Sequence, residues 1–408
     1  MQVEKALEEI KTNFLDEEGF IVQKDRDGGD SLNRLGHLYS LLFLLGRPED
    51  LQGRPLAEGF RAQLAKVTVH PGLYRRHWDK QKWYYNENTT SRDQYTPVVI
   101  AAGLLGEKQI NTDIIGYLKQ NGSYPNTIPN GDPPGPPKAP DILLPGNAAD
   151  LWRGGGDISG LSPFGQFALA ELDCAQVYMS RFRALRQVGD GADSGSDDLN
   201  LTISLLYGLS QNPTENLYAA AYEYFNAEQK PIDRLRYYFR PSSGAPPLAD
   251  VYKVAIEKVL QQHPLKPTSE SDVCKAKVSQ MMQVIADKAW KSLKICDGLK
   301  TKVGPVTIGI DKPFNQTVTG FDFDFTKDYA KLTINVEVTC QSGDSALIKT
   351  EVKAQGKIVA ELNPSTCQVI NATVSLEGKL LDLITIQKIE RDVKDLVQNE
   401  LNKVCSPQ

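Results

Sequence analysis

The chain has 408 residues, 40% of them hydrophobic and 24% charged, which is typical of a globular protein with two or three domains. Its formal net charge of -5 argues against a general nucleic-acid binder, because such proteins present a basic face. Every apolar run is far shorter than the about 20 residues that span a bilayer, so we expect no transmembrane segment.

Residues 1–264 are predicted to form an all-α domain of helical hairpins. Apolar residues recur there at helical spacing. Ser31, for example, is predicted to cap a helix whose apolar face carries Leu32, Leu35 and Leu38. This spacing of successive helices indicates stacked hairpins.

Three features interrupt or modify the helical pattern. Pro97 lies in the first turns of a predicted helix, where proline is tolerated. Residues 126–147 are rich in proline and glycine and are predicted to form a long loop. The acidic residues between 189 and 198 are predicted to form a solvated loop.

Residues 265–272 contain prolines and small polar residues and are predicted to be a linker. Residues 273–408 are predicted to form an α+β domain, in which an antiparallel meander sheet is flanked by two helices. Phe321 and Phe323, for example, alternate with Asp322, which is typical of a strand with one buried face.

The cysteines are concentrated in this second domain, and this clustering indicates disulfides formed in an oxidising compartment. Cys274 begins one flanking helix and Cys405 ends the other, so we predict a disulfide between them. Cys340 and Cys367, both on predicted strands, are the second predicted pair. Buried free thiols remain the alternative.

The amino-terminal helix pattern has no apolar core of the kind found in a signal peptide. The sequence also contains several glycosylation sequons, among them Asn88 and Asn121. Together with the cysteines, these features predict an exported protein, extracellular or periplasmic, whose leader is absent from this chain.

An acidic cluster, DRDGGD, precedes the second helix. Asp25, Asp27 and Asp30 alternate around two glycines, and such carboxylates can converge on calcium or act as a general acid or base. The alternative is a solvated turn in which Asp30 caps the helix. His37 is the candidate proton carrier nearby, because histidine titrates near neutral pH.

A second cluster precedes another apolar helix and combines arginines, rings and polar side chains. It contains Arg75, His77, Trp78, Trp83, Tyr85, Asn86, Arg92 and Asp93. Rings that stack on sugar faces beside planar hydrogen-bonding groups are typical of a carbohydrate site. Trp152 and Arg153 are candidates to line the same cleft. The alternative is a buried network in which Arg92 pairs with Asp93.

The helical part resembles the helical-hairpin toroids of many polysaccharide hydrolases and lyases. The resemblance rests on the segments DEEGF at 16–20, DRDGGD at 25–30 and WYYNENTTSRDQ at 83–94. It implies that acids, arginines and rings lie on loops at one end of a helix ring. The second domain resembles tubular lipid-binding domains in layout.

We therefore expect the two clusters to face one cleft that binds or processes a polysaccharide or a cell-surface component. Asp27 or Asp30 would act with Asp93 as acid and base, while the arginines, histidines and rings would bind the ligand. No cofactor is required, and calcium is the candidate. The alternatives are a self-assembling surface or filament subunit, and a lipid carrier built on the second domain.

Overall fold

The computed structural model describes residues 2–23, 29–79, 92–121, 145–161, 167–185, 195–227, 231–239, 244–267, 272–325, 329–343, 348–363, 368–384 and 386–405. The chain divides into two compact units, one of Met1–Glu270 with Pro407–Gln408 and one of Ser271–Ser406. The first is predominantly helical and the second contains a four-stranded antiparallel sheet. At this level the predicted two-part architecture, helical and then α+β, is confirmed.

Within those described residues, the first unit consists of helices α1 to α11 and a short antiparallel ribbon of strands β1 and β2. The helices span Gln2–Asn13 (α1), Ser31–Leu44 (α2), Leu56–Val67 (α3), Arg92–Leu104 (α4), Lys108–Asn121 (α5), Pro145–Arg153 (α6), Leu169–Ala184 (α7), Gly195–Gln211 (α8), Glu215–Phe225 (α9), Pro231–Tyr238 (α10) and Leu248–Gln262 (α11). The ribbon pairs Thr68–His70 (β1) with Leu73–Tyr74 (β2).

The prediction of a solvated loop over residues 189–198 is wrong for residues 195–198. Helix α8 begins at Gly195, so Asp198 lies in its first turn. Asp198 is buried, and its Oδ1 lies 3.5 Å from Nη1 of Arg234. An acidic residue can be buried in this way when an arginine neutralises it.

Helix α2 is the central helix of the first unit. Of its residues, Phe43 alone is not buried. The apolar side chains Leu32, Leu35 and Leu38 pack in the core as their spacing predicted. Because the helix is enclosed on all sides, its polar side chains also lie inside the unit, and each needs a partner there.

Helices α2, α4 and α8 run parallel, with their amino termini at one end. Near that end, Asn33 of α2 contacts Asp93 of α4, which also contacts Asn200 of α8. One helical turn further along α2, Gly36 lies so close to α4 that a Cβ there would overlap the backbone of Pro97. Glycine therefore permits the close packing of α2 on α4.

The second unit begins with helix α12, continues through six strands in its described part and ends with helix α13. The elements span Asp272–Ser292 (α12), Lys300–Val303 (β3), Val306–Gly309 (β4), Lys312–Phe325 (β5), Ala330–Gln341 (β6), Glu351–Asn363 (β7), Gln368–Glu377 (β8) and Ile386–Cys405 (α13), with a 3₁₀ turn at Lys379–Leu383. Strands β5 to β8 form the sheet in chain order, each antiparallel to the next.

Both edge strands of this sheet are covered by a helix that hydrogen-bonds to them. Beside a bulge in β5, Val318 receives a hydrogen bond from Gln283 of α12 on its carbonyl (3.0 Å) and donates its N–H to Asp287 (2.9 Å). At the other edge, the N–H of Val374 donates to Glu390 of α13 (3.1 Å). Side chains thus occupy edge groups that would otherwise pair with another chain.

The structure corrects one predicted disulfide. Cys340 on β6 is bonded to Cys296, with a Cα–Cα distance of 5.5 Å, and not to Cys367. The reason is local, because Trp290 near the end of α12 donates to Glu337 on β6 (3.1 Å) and so brings the segment after α12 beside Cys340.

Other cysteines are also oxidised. Cys174 and Cys274 are each disulfide-bonded. Cys367 and the side chain of Cys405 lie outside the described residues, so the predicted Cys274–Cys405 pair stays a prediction.

We predict that the Cys296→Ala/Cys340→Ala variant unfolds its second unit more readily than the wild type. The disulfide joins residues 44 positions apart, and closing a loop of that length stabilises by about 4 kcal/mol in the chain-entropy model. Hydrogen exchange of the β6 amides measures the change. Peptide mapping without reductant should recover Cys296 joined to Cys340, and a peptide joining Cys340 to Cys367 would contradict this connectivity.

Candidate functional site

The described ends of the two predicted clusters, Asp30 of one and Asp93 of the other, meet where α2 and α4 begin. The side-chain amide of Gln94 donates to Oδ1 of Asp30 and to Oδ2 of Asp93, at 3.2 Å in each case. One NH₂ group carries two hydrogens, so it can serve both carboxylates. These two oxygens therefore lie no farther apart than twice that distance. We call this place, with Asp30, Arg34, Arg76, Asp93 and Gln94, the α2/α4 mouth.

Pro97 explains why α2 and α8 are hydrogen-bonded to α4 at the carbonyl of Asp93. Proline has no N–H, so the carbonyl of Asp93, four residues earlier, lacks its donor within the helix. The side-chain amides of Asn33 and Asn200 donate to this carbonyl instead, at 2.6 and 3.3 Å. The N–H of Asn33 also donates to Oε1 of Gln94 (3.1 Å). The carbonyl that has no donor within α4 thus joins α4 to both α2 and α8.

Two arginines face the carboxylate of Asp30. Nη2 of Arg34 lies 3.5 Å from Oδ2, and Nη1 of Arg76 lies 4.0 Å from Oδ1. The side chain of Asp30 is 36% exposed, whereas that of Arg34 is 4% exposed. The positive ends of two helix dipoles add to this field, and they favour acids at these positions. The mouth is therefore a partly open place with acids and arginines in contact.

Of the predicted site residues near the mouth, some have a different role. His77 is fully buried, and its Nε2 lies 2.9 Å from Oδ2 of Asp16. Its Nδ1 accepts from the N–H of Asp79 (3.0 Å), which assigns the ring proton to Nε2. Both nitrogens are occupied, so the prediction that His77 orients a ligand is wrong.

Trp78 is fixed by the same carboxylate. Its Nε1 donates to Oδ2 of Asp16 at 2.7 Å, and the indole remains partly exposed. Burial on its own would raise the pKa of Asp16, but hydrogen bonds from His77, Trp78 and the N–H of Phe20 lower it to about 2. Asp16, in the DEEGF segment, thus anchors the segment from 77 to 79 as a permanent anion.

The prediction that His37 is a proton carrier is also wrong. The ring is 1% exposed and its Nδ1 is hydrogen-bonded to the hydroxyl of Tyr252. Burial lowers the pKa of His37 to about 3, against a smaller opposing effect of its hydrogen bond with Asn200. The imidazole is therefore neutral at pH 7 and separated from solvent.

Arg153 lies away from the mouth, so its predicted place in that cleft is wrong. It ends α6, beside Gly208 near the end of α8, and its side chain is fully buried in an ion pair with Asp173. Thr214 completes the pair by donating to Asp173 (2.7 Å). Trp152, the preceding residue, is 39% exposed at that same end of α6.

Several predicted residues cannot be assigned a place. Asp25, Asp27, Trp83, Tyr85 and Asn86 lie outside the described residues, as does the side chain of Arg92. Arg75 is described and half-buried, and its backbone N–H donates to the carbonyl of Val67 (2.8 Å). Within the described part of the chain, no group of three acids, histidines or cysteines could hold a metal ion. The calcium site therefore stays a prediction.

Sequence reasoning missed the residues that hold the mouth together. Asn33 and Arg34 lie in the helix that Ser31 is predicted to cap, Gln94 ends the WYYNENTTSRDQ segment without an assigned role, and Asn200 lies more than a hundred residues away in the chain. The sequence does contain one indication of this role, because Asn33 and Arg34 are polar residues in a helix that is otherwise strongly apolar. Such residues are buried with partners or face a site.

The comparisons with known proteins concern the second unit. The family model Y4fE matches residues 275–405. No curated protein and no solved structure matches the chain. The match does not extend to the α2/α4 mouth. Among the described helices, none is both long enough and apolar enough to cross a membrane.

We predict that the wild type loses stability as the pH falls from about 6.5 towards 3, by up to about 1.4 kcal/mol per pH unit. The folded pKa of His37 is lowered to about 3, so the unfolded chain binds this proton first. His37→Gln should remove that part of the slope, and His70→Gln, which changes an exposed ring, should retain it. Urea denaturation between pH 7 and 4 measures both.

A His37 ring that titrates near pH 6.5 in an NMR experiment on the wild type would contradict the assignment. This measurement does not depend on whether the variant folds.

Proposed function

We propose that the first unit binds and hydrolyses a carbohydrate at the α2/α4 mouth, with Asp30 and Asp93 as its carboxylate pair. The observation that carries the proposal is the convergence of these two acids on Gln94, at 3.2 Å each, beside solvent. Two carboxylates held close together are what glycoside hydrolysis needs, one to protonate the leaving oxygen and one to act on the sugar.

The two acids are close enough for one sugar to reach both. The two oxygens that Gln94 bridges are no farther apart than twice 3.2 Å. Glycosidases hold their carboxyl groups about 5–9.5 Å apart, so the pair suits this chemistry, and the anomeric configuration of the product assigns a retaining or an inverting course.

The surroundings suit such a pair. Gln94, Arg34 and Arg76 offset the repulsion between two acids at short distance. Trp78 is half-buried and donates to Asp16, and we propose that it retains the stacking role of an aromatic ring in a carbohydrate site. These are neighbours that a ligand site requires, and Trp78 retains the binding role predicted for it.

We further propose that the helices form a toroid-like arrangement of hairpins. The parallel course of α2, α4 and α8, with amino termini at one end, supports it. A ring of such inner helices gathers loops of many hairpins around one cleft.

The disulfides support the proposal that the protein is exported, because they persist in oxidising compartments. The second unit is then proposed to dock the protein to a partner or surface. A lipid carrier is less well supported, since Val397 of α13 packs directly on the sheet cluster of Ala330, Ala360, Leu362 and Val369. A self-assembling structural subunit stays an alternative.

We predict that Asp30→Asn and Asp93→Asn each lower glycan hydrolysis by about 100-fold or more, because each removes an acid, base or nucleophile while keeping the shape. The assay screens oligosaccharides with the full chain and follows reducing ends. Asp157→Asn is the matched control, because Asp157 is an exposed acid paired with Lys119. It should leave the rate unchanged.

Binding measured by calorimetry separates the two parts of the proposal. If Asp30→Asn and Asp93→Asn bind an oligosaccharide that they do not cleave, both binding and hydrolysis belong to the mouth. If the wild type neither binds nor cleaves any oligosaccharide, the proposed function is wrong. Equal rates in the wild type and both variants would place the chemistry elsewhere.

A further inference from the structure

The guanidinium of Arg34 is incompletely paired in a buried place. Its side chain is 4% exposed, and Nη2 makes one ion pair with Asp30 at 3.5 Å. Nε and Nη1 are buried and have no hydrogen-bond partner in the part of the chain that the structure describes. A buried donor without a partner destabilises the folded chain, because the donor has lost its hydrogen bonds to water. The position therefore lacks an acceptor.

The described neighbours do not supply that acceptor. Asp30 is shared with Arg76 at 4.0 Å and with Gln94 at 3.2 Å, and it lies on the Nη2 side of Arg34. Oε1 of Gln94 accepts from the N–H of Asn33, and the Asp93 carbonyl accepts from the side chains of Asn33 and Asn200. Nε and Nη1 of Arg34 therefore lack an acceptor near the amino terminus of α2, where the proposed carbohydrate would bind.

We propose that Arg34 binds the carboxylate of an acidic sugar, so that the ligand of the mouth is a uronate-containing oligosaccharide. The inference rests on the proposed function and specifies its ligand class. Nη1 and the second hydrogen of Nη2 form one edge of the guanidinium, and a planar carboxylate matches that edge with two parallel hydrogen bonds. A neutral sugar would leave the charge of Arg34 only partly compensated.

The electrostatics of the mouth agree with an acidic ligand. Arg34 and Arg76 balance the two carboxylates of the mouth, Asp30 and Asp93, and the amino termini of α2 and α4 add positive potential. A carboxylate bound below the surface interacts more strongly than one in bulk water, because the local dielectric is lower. Since Nη1 is buried, side chains at the mouth must move when the ligand enters. The α2 amides next to Arg34 should therefore change their hydrogen-exchange protection on binding.

The test compares trigalacturonate with its methyl ester, in which the same sugars carry no negative charge, and with inorganic sulfate. Calorimetry on the full chain should show the acid bound at least about tenfold more tightly than the ester. Arg34→Gln should lose that preference while still binding the ester. Arg34→Lys, which keeps the charge without the planar fork, should lose most of it. Arg61→Gln, an exposed arginine paired with Glu107, is the matched control and should keep it.

Each outcome decides between the two claims. Equal binding of acid and ester by the wild type overturns the inference and leaves the proposed function standing. A preference for the acid that survives in both Arg34 variants also overturns it. Competition by sulfate as strong as that by trigalacturonate would assign the site to a general anion and overturn the uronate. If neither acid nor ester binds, the uronate inference is overturned, and the oligosaccharide screen described above decides the proposed function separately. If Arg34→Gln does not fold, the test uses Arg34→Lys instead. It also uses hydrogen exchange of the α2 amides in the wild type, measured with and without trigalacturonate.

Discussion

The junction of α2, α4 and α8 depends on one carbonyl that its own helix cannot satisfy, that of Asp93. Pro97 cannot donate to it, and the two asparagines that do so come from α2 and α8. Gly36 lets α2 approach Pro97 closely enough for this contact, because any side chain there would overlap the α4 backbone. Gly36 and Pro97 would each weaken an isolated helix. In this unit they allow α2, α4 and α8 to meet near their amino termini. Asp30 and Asp93 become neighbours as a consequence.

The chemistry of the mouth follows from that junction. Gln94 lies next to Asp93 and bridges it to Asp30, while its carbonyl oxygen is held by the N–H of Asn33. The amide is thereby oriented, and both acids are held by a residue that is itself fixed. A site of this kind is preorganised, which is the condition for positioning acids within reach of a bound sugar. His37 and His77 do not take part, because both rings are buried and hydrogen-bonded to other protein groups.

Local patterns in the sequence predicted the elements well. Helical spacing located α2 and α4, and the alternation around Phe321 identified the sheet, because one buried face imposes each pattern. The meeting of Asp30 with Asp93 agrees with the expectation that the two clusters share a place. The roles of individual side chains were less accessible. The sequence around His77 is the same whether its ring faces a cleft or, as in this structure, Asp16. The sequence alone therefore does not reveal which role His77 has.

The errors share a physical cause, which is that pairing over long sequence separations leaves no local trace. Asn200 reaches the mouth only because α8 packs beside α4, and Cys296 meets Cys340 only because α12 hydrogen-bonds along β6. Arg34 shows the same limit from the other side, since its unmet donors are visible only in the folded chain, among the residues that the structure describes. Burial and hydrogen-bond satisfaction are properties of the folded chain.

A crystal structure of the full chain with bound trigalacturonate is the most direct measurement of the central claim, that the α2/α4 mouth is a carbohydrate site. The account predicts sugar density beside Asp30 and Asp93, with one ligand carboxylate on the guanidinium of Arg34. Density elsewhere on the chain, with the α2/α4 mouth holding no sugar at saturating ligand, would contradict it.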